Sequence, residues 1–196
     1  MLKIYSIILC LLTLYPKILY SKETLYLFGG AGYSNYTIGN SDITEIDNKI
    51  TGLGFGTSKT TTDTKDFSYE YGIGLKILKL LTVEISYLDM GQISLTTSTT
   101  TPSESLNAKI NIEGICIDLI KNIGPIGLTG GILKVDDNVK ISSSLGNANI
   151  PIDDLFLPKI GGNIKINNYR FEINRTFLTP NSHLNNIMIS YIFDIF

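Results

Sequence analysis

The chain has no tryptophan, one histidine and two cysteines in 196 residues. Histidine and cysteine this sparse, with the thiols at positions 10 and 116, leave no metal-ligand spacing anywhere. No metal, cofactor or catalytic constellation is therefore expected. Charge is scarce too, at 17% of residues with a net charge of -2, against about a quarter in an ordinary soluble domain. There is no basic run and no acidic tail, which excludes nucleic acid as an expected partner. Beyond position 21 no stretch of 18 apolar residues occurs, so any membrane crossing is not made by a helix. The remaining spanning solution is a closed barrel, because only closure pairs every backbone N–H and C=O in hydrocarbon. Missing tryptophan removes the usual girdle residue, but 11 Tyr and 8 Phe can take that place.

What is present begins with an export signal. Lys3 gives a positive start, Ile4 to Tyr15 is almost unbroken apolar sequence, Pro16 ends it, and Ser21 offers a small residue for cleavage. The run is too short for a spanning helix. Residues 1–21 are read as a signal peptide and 22–196 as one barrel domain. Ile8-Leu9-Cys10 lacks the small residues of a lipoprotein motif. Cys116 then stands alone, unable to form an internal disulfide, and reads as a small apolar side chain in a strand.

The mature sequence alternates with period 2, the mark of strands with two unlike faces. Phe67, Tyr69, Tyr71, Ile73, Leu75 and Ile77 share one face, with Ser68, Glu70, Gly72, Gly74 and Lys76 opposite. Leu81, Val83, Ile85 and Tyr87 oppose Thr82, Glu84 and Ser86. Ala108, Ile110 and Ile112 oppose Lys109, Asn111 and Glu113. Ile160, Gly162, Ile164 and Ile166 oppose Lys159, Gly161, Asn163 and Lys165. Tyr169, Phe171 and Ile173 oppose Arg170, Glu172 and Asn174, and Ile187, Ile189, Tyr191 and Phe193 oppose Met188, Ser190 and Ile192. Leu25 to Tyr36 is a glycine-rich strand, and Ile126 to Val135 is a strand whose faces the pattern does not assign. Each of these segments has about the ten residues that a tilted strand needs to cross a bilayer.

The connections alternate as well. Leu78-Lys79-Leu80, Lys121-Asn122 and Asn167-Asn168 are short, whereas 37–66, 92–106 and 136–156 are long, with a shorter link at 179–184. Short turns on the periplasmic side and long loops outside are the pattern of outer-membrane barrels. The long connections are rich in Thr, Ser, Asn and Asp and read as solvated, mobile loops. The reading is an all-β, eight-stranded antiparallel up-and-down transmembrane β-barrel. A soluble β-sandwich is the alternative that alternation alone leaves open.

Several strands resemble the transmembrane domain of the OmpA-like family. Thr24-Leu25-Tyr26-Leu27-Phe28-Gly29-Gly30-Ala31-Gly32-Tyr33 is similar to its first strand, Leu81 to Gly91 to its third, Tyr169-Arg170-Phe171-Glu172 to its seventh, and Ser190-Tyr191-Ile192-Phe193 to its last. The resemblance implies a small barrel in the outer membrane, in contact with outer-membrane lipids. It also implies insertion by the barrel assembly machinery, which reads an aromatic final strand. Tyr191, Phe193 and Phe196 are the candidates for that signal. Phe196 in the aromatic register puts Asp194 on the lipid face, so either the signal ends at Phe193 or the register slips. The resemblance further implies an interior salt-bridge cluster that includes Glu84 and Arg170.

The interior charges expected from alternation are Glu70, Lys76, Glu84, Glu113, Lys159, Lys165, Arg170 and Glu172. An eight-stranded barrel has room for side chains but not for an open channel, so these charges are expected to pair and lock the lumen. The lone His183 beside Ser182 is weak ground for hydrolysis or acyl transfer, because adjacent residues seldom face each other. Gly29-Gly30-Ala31-Gly32 lies within a strand with no helix to follow, which excludes a phosphate loop. The expected function is a non-enzymatic envelope barrel, of adhesin or antigen type, whose loops 37–66, 92–106 and 136–156 contact host or cell-surface ligands. A small pore or hydrophobic-solute channel is the alternative, and a lipid A-modifying enzyme the third.

Overall fold

The computed structural model describes residues 24–195, except 53, 55, 79, 102, 104, 136, 137, 144, 145 and 152–154. Its strands are β1 (Thr24–Thr37), β2 (Ser58–Asp63), β3 (Lys65–Leu78), β4 (Leu81–Thr99), β5 (Ser105–Ile123) and β6 (Ile126–Val135). The series continues with β7 (Asn138–Ser143), β8 (Gly146–Pro151), β9 (Leu155–Ile166), β10 (Tyr169–Phe177) and β11 (His183–Asp194). One helix, α1 (Asn40–Gly52), follows β1. The signal-peptide reading falls on residues outside the described ones.

Eight strands close a barrel in the order β4-β3-β1-β11-β10-β9-β6-β5, with β5 pairing back onto β4. Every pairing is antiparallel. The last strand closes on the first, with Leu27 opposite Phe193 and Tyr33 opposite Ile187. These are the eight segments expected from alternation, and no soluble sandwich forms. The turn between β9 and β10 is two residues, with Asn167 at φ 54°, as twisted hairpins require. The short turns and the first described residue share one end, called here the inner end.

β4 and β5 are each 19 residues long, about twice what crossing requires. Midway along β4 the register against β5 shifts between Asp89 and Gln92. Gly91 takes φ 79° there, and the Asp66 carboxylate accepts the Gln92 N–H at 2.7 Å. Beyond this bulge the β4–β5 hairpin continues outward. β2 adds to its β4 edge, with Ser58 opposite Thr99, and the β7–β8 hairpin adds to its β5 edge, with Asn107 opposite Ser142. The expectation of mobile loops is therefore corrected over 58–63, 94–99, 138–143 and 146–151. The Thr/Ser-rich segments are strands, paired by backbone and by hydroxyls such as Thr60 to Thr97 at 2.7 Å.

α1 buries no side chain. It is tied down by two acids, one in its first turn and one at its middle: Asp42 accepts hydrogen bonds from the hydroxyls of Ser182 and Thr179, and Asp47 accepts one from Thr60 at 2.7 Å. The two hydroxyls hold the Asp42 carboxyl below the usual carboxylate range.

Candidate functional site

The side chains facing the lumen divide into two zones. At the outer level, Tyr36, Leu88, Met90, Leu133, Leu157 and Leu184 are each at most 2% exposed and pack together around the barrel axis. The Tyr36 hydroxyl donates to the Met90 carbonyl at 2.7 Å, which fixes the ring across the lumen just below the bulge. Cys116 is buried in this zone. This is an apolar plug of buried side chains.

At the inner level the lumen is ionic. Arg170 on β10 donates from Nη1 to Glu84 and from Nε to Glu172 at 2.8 Å. Tyr26 donates its hydroxyl to Glu84, and Ser190 donates to Glu172 at 2.8 Å. The Phe28 ring covers the guanidinium, 4.6 Å from its central carbon, a cation–π contact in a desolvated setting. A second pair, Lys159 to Asp118 at 2.6 Å, lies toward the opposite wall, with both side chains almost fully buried. Glu70 accepts the Ser86 hydroxyl at 2.5 Å. Glycines make the space for this. A Cβ on Gly74 would sit 2.5 Å from the Tyr26 hydroxyl, and Gly131 stands opposite Asp118.

Of the eight charges expected inside, Glu70, Glu84, Lys159, Arg170 and Glu172 are buried in the lumen. Lys76 and Lys165 share their inward parity but sit half-buried at the inner mouth. Glu113 is a correction: it faces outward and accepts the Tyr87 hydroxyl. The reason is that Ala108, Ile110 and Ile112 turn inward, toward the plug. At that level the apolar face of the strand meets the lumen instead of the outer wall. Asp118 is the interior charge that alternation missed. It sits among Ile115, Ile117, Leu119 and Ile120, where apolar residues occupy both faces and hide the period.

The outer wall is apolar. Leu27, Ile73, Ile117, Leu128, Ile164 and Phe171 are all more than 40% exposed. Aromatic residues edge this band at both levels. Tyr33, Phe67 and Tyr69 lie at the outer edge. Tyr169 and Phe193 flank Tyr191 at the inner edge, with ring centroids 5.2 and 4.8 Å from it. In the assembly-signal candidates, Tyr191 and Phe193 share the outward parity, and Phe193 is strongly exposed. β11 ends at Asp194 on the inward parity of the buried Ile192, so Asp194 does not face lipid. Phe196 lies outside the described residues.

Ser182 and His183 are not brought together. The Ser182 hydroxyl donates to Asp42 and accepts the Gly39 N–H at 3.0 Å. His183 begins β11 on the outward parity. Among the described residues no group of three or more His, Cys, Asp or Glu is arranged to hold a metal.

A closed eight-stranded antiparallel barrel with an apolar exterior defines the class, the small β-barrel of outer-membrane type. Solved structures carry the same fold. The attachment invasion locus protein Ail of Yersinia pestis superposes with a TM-score of 0.51 at 12% identity, over 87% of this chain and 98% of that one. A second structure of Ail, in complex with the heparin analogue sucrose octasulfate, gives 0.50 at 10% identity, over 86% of this chain and 99% of that one. No family model and no curated protein matches the chain.

Proposed function

We propose that this chain is a non-enzymatic surface barrel of the OmpA-like type, residing in the outer membrane and presenting a rigid extracellular sheet for contact with host or neighbouring cells. The observation that carries this reading is the length mismatch. About half of β4 and β5 lies beyond the stretch needed to cross, and that excess is built into a five-stranded sheet by β2, β7 and β8. Strands that leave the membrane already paired present a fixed surface, which lowers the ordering cost of binding.

The lumen supports the same reading against a channel. Side chains that are 0–2% exposed fill its outer level and ion pairs fill its inner level, in keeping with the narrow interior of an eight-stranded barrel. The separation of Ser182 from His183 supports the non-enzymatic part. The sulfated ligand seen with Ail is not carried over. By sequence, the connections 37–66, 92–106 and 136–156 each hold more Asp and Glu than Lys and Arg, and an acidic surface repels a polyanion.

The experiment is labelling of intact cells with a membrane-impermeant amine reagent, read at Lys59 and Lys109, beside planar-bilayer recording of the purified protein. The reading expects both lysines labelled and no steady conductance. Unlabelled lysines would remove the surface role, and a stable open level would favour the pore.

A further inference from the structure

The inner mouth of the lumen holds a cavity of about 40 Å³ that neither the ion-pair lock nor the surface sheet uses. Tyr26, Lys76, Asn122, Asn163, Lys165 and Arg170 line it, and no carboxylate does. Neither lysine has an ion-pair partner among the described residues; the Lys76 ammonium rests 5.8 Å over the Tyr26 ring. The acids in the neighbourhood are Glu84 and Glu172, both committed to Arg170, and Asp194, which acts on Lys165 only as a more distant charge.

Two buried donors of the lining have no acceptor. Arg170 uses Nη1 and Nε on carboxylates, and its Nη2 is unpaired; the Asn163 amide nitrogen is unpaired as well. The two residues are 3% and 6% exposed. Buried N–H groups are ordinarily paired, and a buried cation side chain even more so. Two lysines line a space large enough for more than one water, and the two residues that carry the orphan donors line it too, which makes a charge-assisted acceptor site with the acceptor missing from the protein itself.

We propose that this cavity is a binding site for a small anion, a halide or a single oxyanion of phosphate size, entering from the inner end. The anion accepts from Asn163 Nδ2 and Arg170 Nη2 and is neutralised by Lys76 and Lys165. Lipid headgroups do not reach it, since every lining residue has lumen-facing parity. The site does not depend on the surface role proposed above.

The test uses the full chain refolded in detergent micelles and labelled with ¹⁵N. Sodium chloride and, separately, sodium phosphate are titrated in, with a bulky sodium sulfonate holding ionic strength and sodium constant. The expected result is a saturable shift of the Asn163 side-chain amide, weakened about tenfold in Lys165→Gln, as for loss of one charge-assisted contact. Asn163→Leu, which keeps both lysines, should weaken binding at Lys165 as well. Unheated gel mobility confirms that each variant is folded. Shifts that rise linearly without saturating for both anions, an affinity at the Asn163 amide unchanged in Lys165→Gln, or an affinity at the Lys165 backbone amide unchanged in Asn163→Leu, overturn the site.

Discussion

The inner and outer levels of the lumen are closed by opposite chemistry. Arg170, Glu84 and Glu172 hold the inner level by directional, charge-assisted bonds, while Leu88, Met90, Leu133 and Leu184 hold the outer level by contact and exclusion of water. An ionic lock tolerates no missing partner, because the survivor is left charged and dry. An apolar plug tolerates exchange of shape if volume is kept. The difference also separates two jobs. The charges sit where the outer wall is apolar, and the plug sits near the bulge, where the barrel gives way to the five-stranded sheet.

The comparison breaks first at Arg170. Arg170→Leu leaves Glu84 and Glu172 unpaired, with an expected loss of about 3–5 kcal/mol, read from urea unfolding in micelles. Replacing all three residues with leucine should recover much of that loss. If the single and triple variants are equally destabilised, the lock is not a charge effect. The plug should respond next: Leu133→Ala costs about 2–4 kcal/mol through its cavity, while Leu184→Met costs under about 1.5 kcal/mol. A plug that reacts to Leu184→Met as strongly as to Leu133→Ala is packed more specifically than this account holds. Outside the lumen the effects shrink. Tyr87→Phe removes one hydrogen bond to the outward Glu113, and a loss above about 1 kcal/mol by the same assay would contradict its partly exposed setting.

The smallest effect belongs to α1. Asp42 has its carboxyl held below 3.8 by the hydroxyls of Ser182 and Thr179. A lowered value in the folded state means the contact stabilises fully above 3.8 and is lost as the pH falls through the lowered value. Pepsin cleavage within 37–57 should therefore accelerate below pH 3.8, and Asp42→Asn should abolish that acceleration. A cleavage rate that ignores both the pH and the substitution would free α1 from this anchor.

The same division explains what alternation could reveal. At the inner level the outer wall is apolar and the lumen polar, so Phe67 to Ile77 states its faces outright. From the bulge outward the inward face of β5 is the apolar one, beginning at Ile112, and Glu113, opposite Asp89 at the bulge, is misread for that reason. Where even the buried face of a strand is lined by hydroxyls, as at Thr60, Thr97 and Thr99, no apolar rhythm exists and hydroxyl-rich strands look like loops. Asp118 escaped because its neighbours are apolar on both sides. Gly131, which makes its space, lies on another strand, and no local pattern links the two. The pairing of Lys159 with Asp118 is likewise a product of closure, which brings β9 and β5 face to face across the lumen, whereas Arg170 and Glu172 stand two apart on β10.

The central claim is a closed barrel seated in the outer membrane. Its direct test is to fractionate the envelope and run the outer-membrane fraction on a gel with and without boiling. The chain is expected in that fraction, with a mobility that changes on heating, because the closed sheet resists detergent until it is boiled. Recovery of the chain in the periplasm or medium, with the same mobility in both lanes, would contradict it.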